Sequence, residues 1–385
     1  MGIYMNNAAT SWPKPEEVPK AMYQFMTCSG ANLARGSSSS RDLDTLDLVT
    51  TTREKLAAFF GGYRNEDPRY VTFTSNVTEA LNVVLKGFLG PSSRVVTTSM
   101  EHNAVMRPLR RLESERGVKV TVVPCFPDGI LDLERFEKAL KEGQDLAVMS
   151  HCSNVCGTIQ PIEEISRLCR LYEVPLVLDS AQTAGVLDIS ARELGLAALC
   201  FTGHKGLMGP QGTGGIVWEP SFAEKVKPFV EGGTGSVSHL QVQPESLPDK
   251  FEAGTPNLPG IAGLLAALEW ITKTGLENIR KKEENLGKTL LEAILDIKGL
   301  TLYGKKTMQG RLAVFAVNPP GGDNATLALR LSDEYGIETR PGLHCAPVAH
   351  ETLGSFPQGA LRLSVGYFNT EEEISKVIEA LKALV

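Results

Sequence analysis

The chain reads as an α/β protein built on a mainly parallel, seven-stranded sheet with helices on both faces, joined to a small α+β unit. Three observations point there. Short apolar runs rich in Val, Leu and Phe alternate with amphipathic helical stretches through the first 220 residues. The runs end at polar residues or glycine, and stretches such as Leu176–Leu178 are continuously apolar, as strands covered on both faces must be. After about residue 220 the alternation gives way to a different pattern.

In chain order, the candidate strands are Tyr70–Thr74, Arg94–Thr98, Val118–Pro124, Leu146–Ser150, Leu176–Asp179, Ala198–Thr202 and Gly214–Trp218. Between them lie helical patterns at Thr78–Phe88, His102–Glu113, Leu131–Lys141 and Ile162–Leu171. This βαβ alternation predicts parallel strands with crossover helices. Residues 231–259 are rich in Gly, Pro and Ser and predict an ordered but irregular connection, with Gly232, Gly233 and Gly235 in surface turns. Helical stretches follow at Ile261–Lys273 and from Leu276 to about Asp296. The last helix opens on a capping box formed by Thr370 and Glu373, and Ile374, Val377, Ile378 and Leu381 recur on one face.

Composition narrows the function classes. Of 385 residues, 42% are hydrophobic and 22% charged, which permits a sizeable core. The net charge of −6 argues against a nucleic-acid partner held by bulk positive charge. No apolar run reaches the roughly 20 residues that span a bilayer, so no membrane contact is expected. The opening MGIYMNNAATSWPKP lacks a basic segment followed by a long apolar one, which leads us to expect a cytoplasmic protein. Seven cysteines, an odd number, do not suggest a disulfide framework, and Cys152 and Cys156 lack the second pair a zinc site needs. Most of them read as small buried hydrophobes. Cys345 differs, since Pro, Gly and polar neighbours place it on a loop.

In an open sheet of this kind, ligands bind at the carboxyl ends of the strands. The polar residues there are consistent. Asn76, Val77 and Thr78 open a helix, Glu101 and His102 follow the second strand, Ser153 and Asn154 the fourth. Asp179 and Gln182 close the fifth, and Thr202, His204 and Lys205 the sixth. A lysine at a buried strand end can lose its proton to desolvation and become a nucleophile, although most lysines are solvated surface residues. Asp179 alone would read as a helix cap. With Lys205 one βα unit away and His102 available to stack, it suits the ring nitrogen of pyridoxal 5′-phosphate (PLP), which needs a carboxylate partner. The helix N-terminus at 76–78 suits the phosphate, and Thr202 and His204 add donors.

These residues sit in motifs that resemble the cysteine desulfurase/selenocysteine lyase group, class V of the fold-type I PLP enzymes. The matching stretches are NNAAT (6–10), SNVTEALN (75–82), EHNA (101–104), HCSNVCGTIQPI (151–162), LDSAQTAG (178–185), FTGHKGLMGPQGTGGI (201–216), FEAGTPN (251–257), RPGLHCAP (340–347) and LRLSVGYFNTEEEI (361–374). They run in order over nearly the whole chain. The last two resemble the group II branch, whose catalytic cysteine sits on a short ordered loop.

The resemblance implies a large PLP-binding domain at 14–258 and a small domain from 1–13 and 259–385. It implies that Lys205 links to PLP, Asp179 pairs with the ring nitrogen, His102 stacks on the ring, and Asn154 and Gln182 contact its phenolic oxygen. Thr78, Thr202 and His204, with the amide of Val77, would hold the phosphate, joined by Thr255 from the other subunit of a homodimer. Arg362 would clamp the substrate carboxylate, with Asn7, Ala8 and Arg340 on the substrate side. Cys345 would accept sulfur from L-cysteine as a persulfide, flanked by Arg340 and His344 as cationic neighbours. A sulfur- or selenium-acceptor protein would take it onward. Two departures stand out. Val77 offers no hydroxyl where the family often has one, and 32–44 lacks a histidine often found there. The rival readings are a selenocysteine lyase, for which L-selenocysteine is the substrate and Cys345 matters less, and a class V aminotransferase, which needs no cysteine.

Overall fold

The computed structural model describes residues 2–33 and 39–385. In chain order, the strands among these residues are β1 (Ile3–Tyr4), β2 (Val71–Thr74), β3 (Arg94–Thr98), β4 (Lys119–Val123), β5 (Leu146–Ser150), β6 (Leu176–Asp179), β7 (Ala198–Thr202), β8 (Gly214–Trp218), β9 (Thr301–Tyr303), β10 (Val314–Asn318), β11 (Ile337–Glu338) and β12 (Leu361–Ser364). The seven expected strands are β2 to β8, and they form one sheet in the order β2-β8-β7-β6-β5-β3-β4. Four pairings are parallel, but β8 runs antiparallel to both β2 and β7. The reason is local. A parallel return needs a crossover of about a dozen residues or more, usually helical, and the glycine-rich link from β7 to β8 turns straight back.

Side chains alternate across this sheet. Leu199 and Phe201 of β7 enter a core with Leu56, Phe136 and Ile165, whereas Ala198 and Cys200 enter another with Val84, Leu109 and Trp218. The helices Leu133–Lys141 and Ile162–Leu171 cover the first face, and Val77–Phe88 and Asn103–Arg116 the second. A second sheet, β12-β10-β9, is antiparallel and packs with helices Leu276–Asp296, Asn324–Tyr335 and Glu371–Leu384 around Phe315, Leu331, Leu363 and Val377. Strand β1 pairs with β11, and Met5 joins that core, so both ends of the chain meet there. The capping box is present: Thr370 Oγ1 accepts from Glu373 N, and Glu373 Oε2 accepts from Thr370 N, each at 3.2 Å.

One helix begins earlier than the sequence suggests. Leu258–Thr274 starts within the segment read as irregular, because Asn257 caps Gly260 and Pro259 is tolerated in a first turn. Among the described residues, no helix is long and apolar enough to cross a membrane.

Candidate active site

The carboxyl ends of β2, β3, β5, β6 and β7 converge on a cavity of about 510 Å³. Of the expected cofactor residues, it gathers Lys205, Asp179, Gln182, His102, Asn154, Val77, Thr78, Thr202 and His204. Each arrives for a local reason. Asn76 caps the helix after β2 by accepting from Glu79 N at 3.0 Å, which leaves the amides of Val77 and Thr78 at the open first turn. His102 caps the helix after β3, its Nδ1 accepting from Ala104 N at 3.0 Å. Asp179 ends β6 in register with Ser150 of β5 and Cys200 of β7.

Lys205 lies in the turn after β7, where the N-terminal segment holds its backbone. Ser11 Oγ donates to Lys205 O at 2.9 Å, and Ser11 N and Lys14 Nζ donate to His204 O at 3.0 and 2.7 Å. Burial lowers the Lys205 amine from 10.5 to about 8; Asp179 opposes this, while Arg362 and Arg340 add to it. Such an amine is a base and nucleophile near neutrality. Burial also raises the Asp179 carboxyl, against the Ala181 N–H that Oδ1 accepts at 2.9 Å and against Lys205.

Behind Asp179 sits a carboxyl to which the sequence reading gave no role. Glu101 accepts from Thr98 Oγ1 at 2.6 Å and from Ser150 N and Oγ at 2.9 Å, and burial pushes it up to about 7. Its position next to His102 at a strand end was the available signal. His102 itself is pushed down to about 4 by burial and then by Lys205, so it offers a neutral ring suited to stacking.

These residues fit PLP. The anionic end would meet the amides of Val77 and Thr78, the Thr202 hydroxyl and His204, whose buried Nδ1 has no partner among the described residues. Asp179 offers a buried carboxylate to a ring nitrogen, Lys205 an amine to an aldehyde, and the volume lies within the range of cofactor pockets. Asn154 Nδ2 donates to His344 O at 2.8 Å and Gln182 Nε2 to Ala8 O at 3.0 Å, which orients both amides.

Arg362 on β12 is 1% exposed. Its Nη1 donates to Asn154 O at 3.0 Å and its Nη2 to Asn6 Oδ1 at 2.9 Å, but Nε has no partner and no carboxylate faces it among the described residues. Burial, then Arg340, lower it to about 9, which leaves it charged at neutral pH. A buried guanidinium without an anion has the charge and the fork of donors that suit a carboxylate. Cys345 is exposed on the loop between β11 and the helix Pro347–Leu353, with Arg340 Nη2 at 3.9 Å from its sulfur. It acts electrostatically on both Lys205 and Arg362.

Other expectations fare differently. Asn7 and Ala8 line a small cavity of about 40 Å³ that Lys205 and Gln182 also touch. Thr255 lies elsewhere, beside a separate cavity of about 380 Å³ with Phe229 and Glu252. His344 is not a cationic neighbour of Cys345. It turns away from the sulfur and burial lowers it to about 3. Cys152, Cys156, Cys169 and Cys200 are buried as expected, but Cys125 is half-buried and Cys28 is exposed. Gly232 N, in the 231–238 segment, donates to Gln243 Oε1 beyond it at 3.0 Å. The part of the 32–44 segment that holds Arg35 lies outside the described residues.

Comparison with known proteins gives a consistent result. The family model described as aminotransferase class-V matches residues 3–377. A probable cysteine desulfurase of Methanothermobacter thermautotrophicus is 33% identical over 387 residues, covering 99% of this chain and 94% of that protein. A cysteine desulfurase of Pectobacterium carotovorum is 31% identical, covering 99% and 92%. Among solved structures, the apo cysteine desulfurase of Thermococcus onnurineus aligns with a TM-score of 0.92 at 30% identity, over 100% of this chain and 94% of that one.

Proposed function

The chain belongs to the aminotransferase class-V family, and from that membership we propose that it is a PLP-dependent cysteine desulfurase, converting L-cysteine to L-alanine with the sulfur carried on Cys345 as a persulfide. One observation carries the reading: a desolvated lysine, a guanidinium without an anion and an exposed loop thiol act electrostatically on one another, with the thiol 3.9 Å from Arg340 Nη2. The thiol favours this over a selenocysteine lyase or an aminotransferase, neither of which needs one.

The roles of the residues follow from their surroundings. When bound, PLP supplies an electron sink for the pair left at the substrate Cα. Asp179 would hold the ring nitrogen, His102 the ring face, and Val77, Thr78, Thr202 and His204 the phosphate. Arg362 binds the substrate carboxylate through the donors it does not use within the protein. Lys205, with its amine near 8, takes the Cα proton and returns one. Cys345 Sγ, as thiolate, bonds to the substrate sulfur as the bond from that sulfur to Cβ breaks. The products are alanine, completed by protonation, and a Cys345 persulfide, so cysteine plus enzyme thiol balance alanine plus persulfide.

Exposure of Cys345 supports handing the sulfur to an acceptor protein. Thr255 is absent from the lining of its own chain's Lys205 cavity, which supports a homodimer with shared sites. Seven free thiols support a reducing, cytoplasmic setting.

The test is C345S. Sulfide release from cysteine should fall about a thousandfold or more, while PLP absorbance per subunit stays at the wild-type level. Undiminished desulfuration would sink the role of Cys345. Borohydride reduction followed by mass mapping should place PLP on Lys205 in both proteins.

A further inference from the structure

Behind the Cys345 loop lies a run of hydrogen bonds that the reaction above does not use. Ser355 Oγ is 2.7 Å from His350 Nδ1, His350 Nε2 is 3.1 Å from His344 Nδ1, and His344 Nε2 is 2.9 Å from the Arg340 carbonyl. All three side chains are buried. The carbonyl can only accept, so His344 Nε2 carries a hydrogen. A neutral His344 then offers Nδ1 as an acceptor, so His350 Nε2 donates, His350 Nδ1 accepts and the Ser355 hydroxyl donates. Burial lowers His344 to about 3 and His350 to about 4, so both rings are neutral and this pattern satisfies every atom.

The Arg340 carbonyl is a junction. It also accepts the Arg362 backbone N–H at 2.8 Å, so His344 ties its own loop to β12 at the residue bearing the guanidinium without an anion. The loop needs such a tie. His344 and Cys345 both hold left-handed backbone, with φ of +50° and +56°. Residues with a side chain keep that conformation only where the surroundings over-determine it. Asn154 Nδ2 on His344 O and Asn103 N on Cys345 O, the latter at 2.7 Å, hold the loop from the cavity side. His350 and Ser355 hold it from the other side, through the helix Pro347–Leu353 and its exit.

We propose that His350, oriented by Ser355, is a positioning residue for sulfur acceptance: it fixes the His344 tautomer that closes the Cys345 loop onto the Arg340 carbonyl. The proposal rests on the reading of Cys345 as the sulfur acceptor.

The test compares holoenzymes of the wild type, H350L, S355A, H350Q and C345S. H350L removes the donor to His344. S355A frees His350 to adopt the tautomer whose Nε2 lone pair faces that of His344. H350Q keeps an amide N–H for the role. Steady-state kcat and KM for cysteine are measured, together with the rate of Cys345 alkylation by iodoacetamide, followed by mass spectrometry without substrate. In H350L and S355A, kcat falls about tenfold or more, as for one buried hydrogen bond lost. KM shifts by less than about twofold, since Arg362 still binds the carboxylate. Alkylation changes by about threefold or more, and H350Q recovers both. Wild-type kcat and alkylation in S355A and in folded H350L overturn the proposal. So does a loss shared between kcat and KM that H350Q does not recover, the mark of a general structural defect. If H350L does not fold, S355A decides alone. C345S separates the two readings. Sulfide release by C345S removes the sulfur acceptor itself, whereas an inactive C345S beside a normal S355A removes only the role of His350.

Discussion

At Lys205, burial wins over attraction, and this has a consequence for stability. Asp179 strengthens the amine's hold on its proton, yet the amine is lowered from 10.5 to about 8. Below pH 8 the amine is protonated in both the folded and the unfolded chain, so folding bears the full cost of a buried cation. Between pH 8 and 10.5 the folded chain has lost the proton and the unfolded chain has not, so stability rises with pH. In the cofactor-free protein, K205M should therefore be stabilising by up to about 3 kcal/mol at pH 7 and by clearly less at pH 9.5. Urea unfolding at the two pH values checks this, and an equal gain at both would refute the shift. The same residue illustrates what was legible in the sequence. Lys205, Asp179, His102 and Thr202 sit at strand ends, and the strand pattern alone brings them together. Glu101 was legible only as a strand-end residue beside His102; its bonds to Ser150 were not, because they reach 49 residues along the chain to a neighbouring strand. The neutral, turned-in His344 was not legible because its partners depend on how one loop folds back on itself.

At the scale of elements, β3 and β5 to β8 have the ends that the sequence suggests, although the chain stays buried beyond several of them, so polarity rather than exposure marks those ends. The direction of β8 was not legible, because direction depends on the connection rather than on the strand. Packing of Leu258, Ile261, Leu264 and Leu268 into the core of the large sheet leads us to propose that the division between the two units falls near Gly275 rather than at residue 259. We propose that a close contact between two turns aims Lys205. A Cβ on Gly185, at φ +83°, would come within 2.3 Å of the Gly206 carbonyl, and one on Gly206 within 2.5 Å of Ala184 O. The turn after Asp179 and the turn holding Lys205 therefore touch backbone to backbone. G185A should cost more than about 2 kcal/mol and lower bound PLP per subunit. G117A, at φ +65° with nothing near its Cβ, should cost only about 1 kcal/mol and leave PLP bound. Urea midpoints and cofactor absorbance of the two variants test this, and equal losses would show that the turn contact is not what aims the lysine.

For the whole molecule, the position of Thr255 carries the argument. It lines a cavity separate from the one that Lys205 lines, and its segment is fixed there. Glu252 pairs with the buried Arg53 at 2.5 Å and accepts from Phe73 N at 2.6 Å, which ties the segment to β2. Phe229, which lines the same cavity as Thr255, is 46% exposed, as an apolar residue on a face that meets another copy would be. If Thr255 serves the phosphate of a second copy, two inactive variants should complement each other. K205A lacks the lysine, and T255D sets a negative charge against the phosphate. In a mixed dimer, one site has both defects and the other has neither. Random assembly makes about half the dimers mixed, so co-expression should restore about a quarter of the wild-type sites, read as sulfide release per subunit. If Thr255 served its own chain, every site in the mixture would carry one defect, and no activity would return.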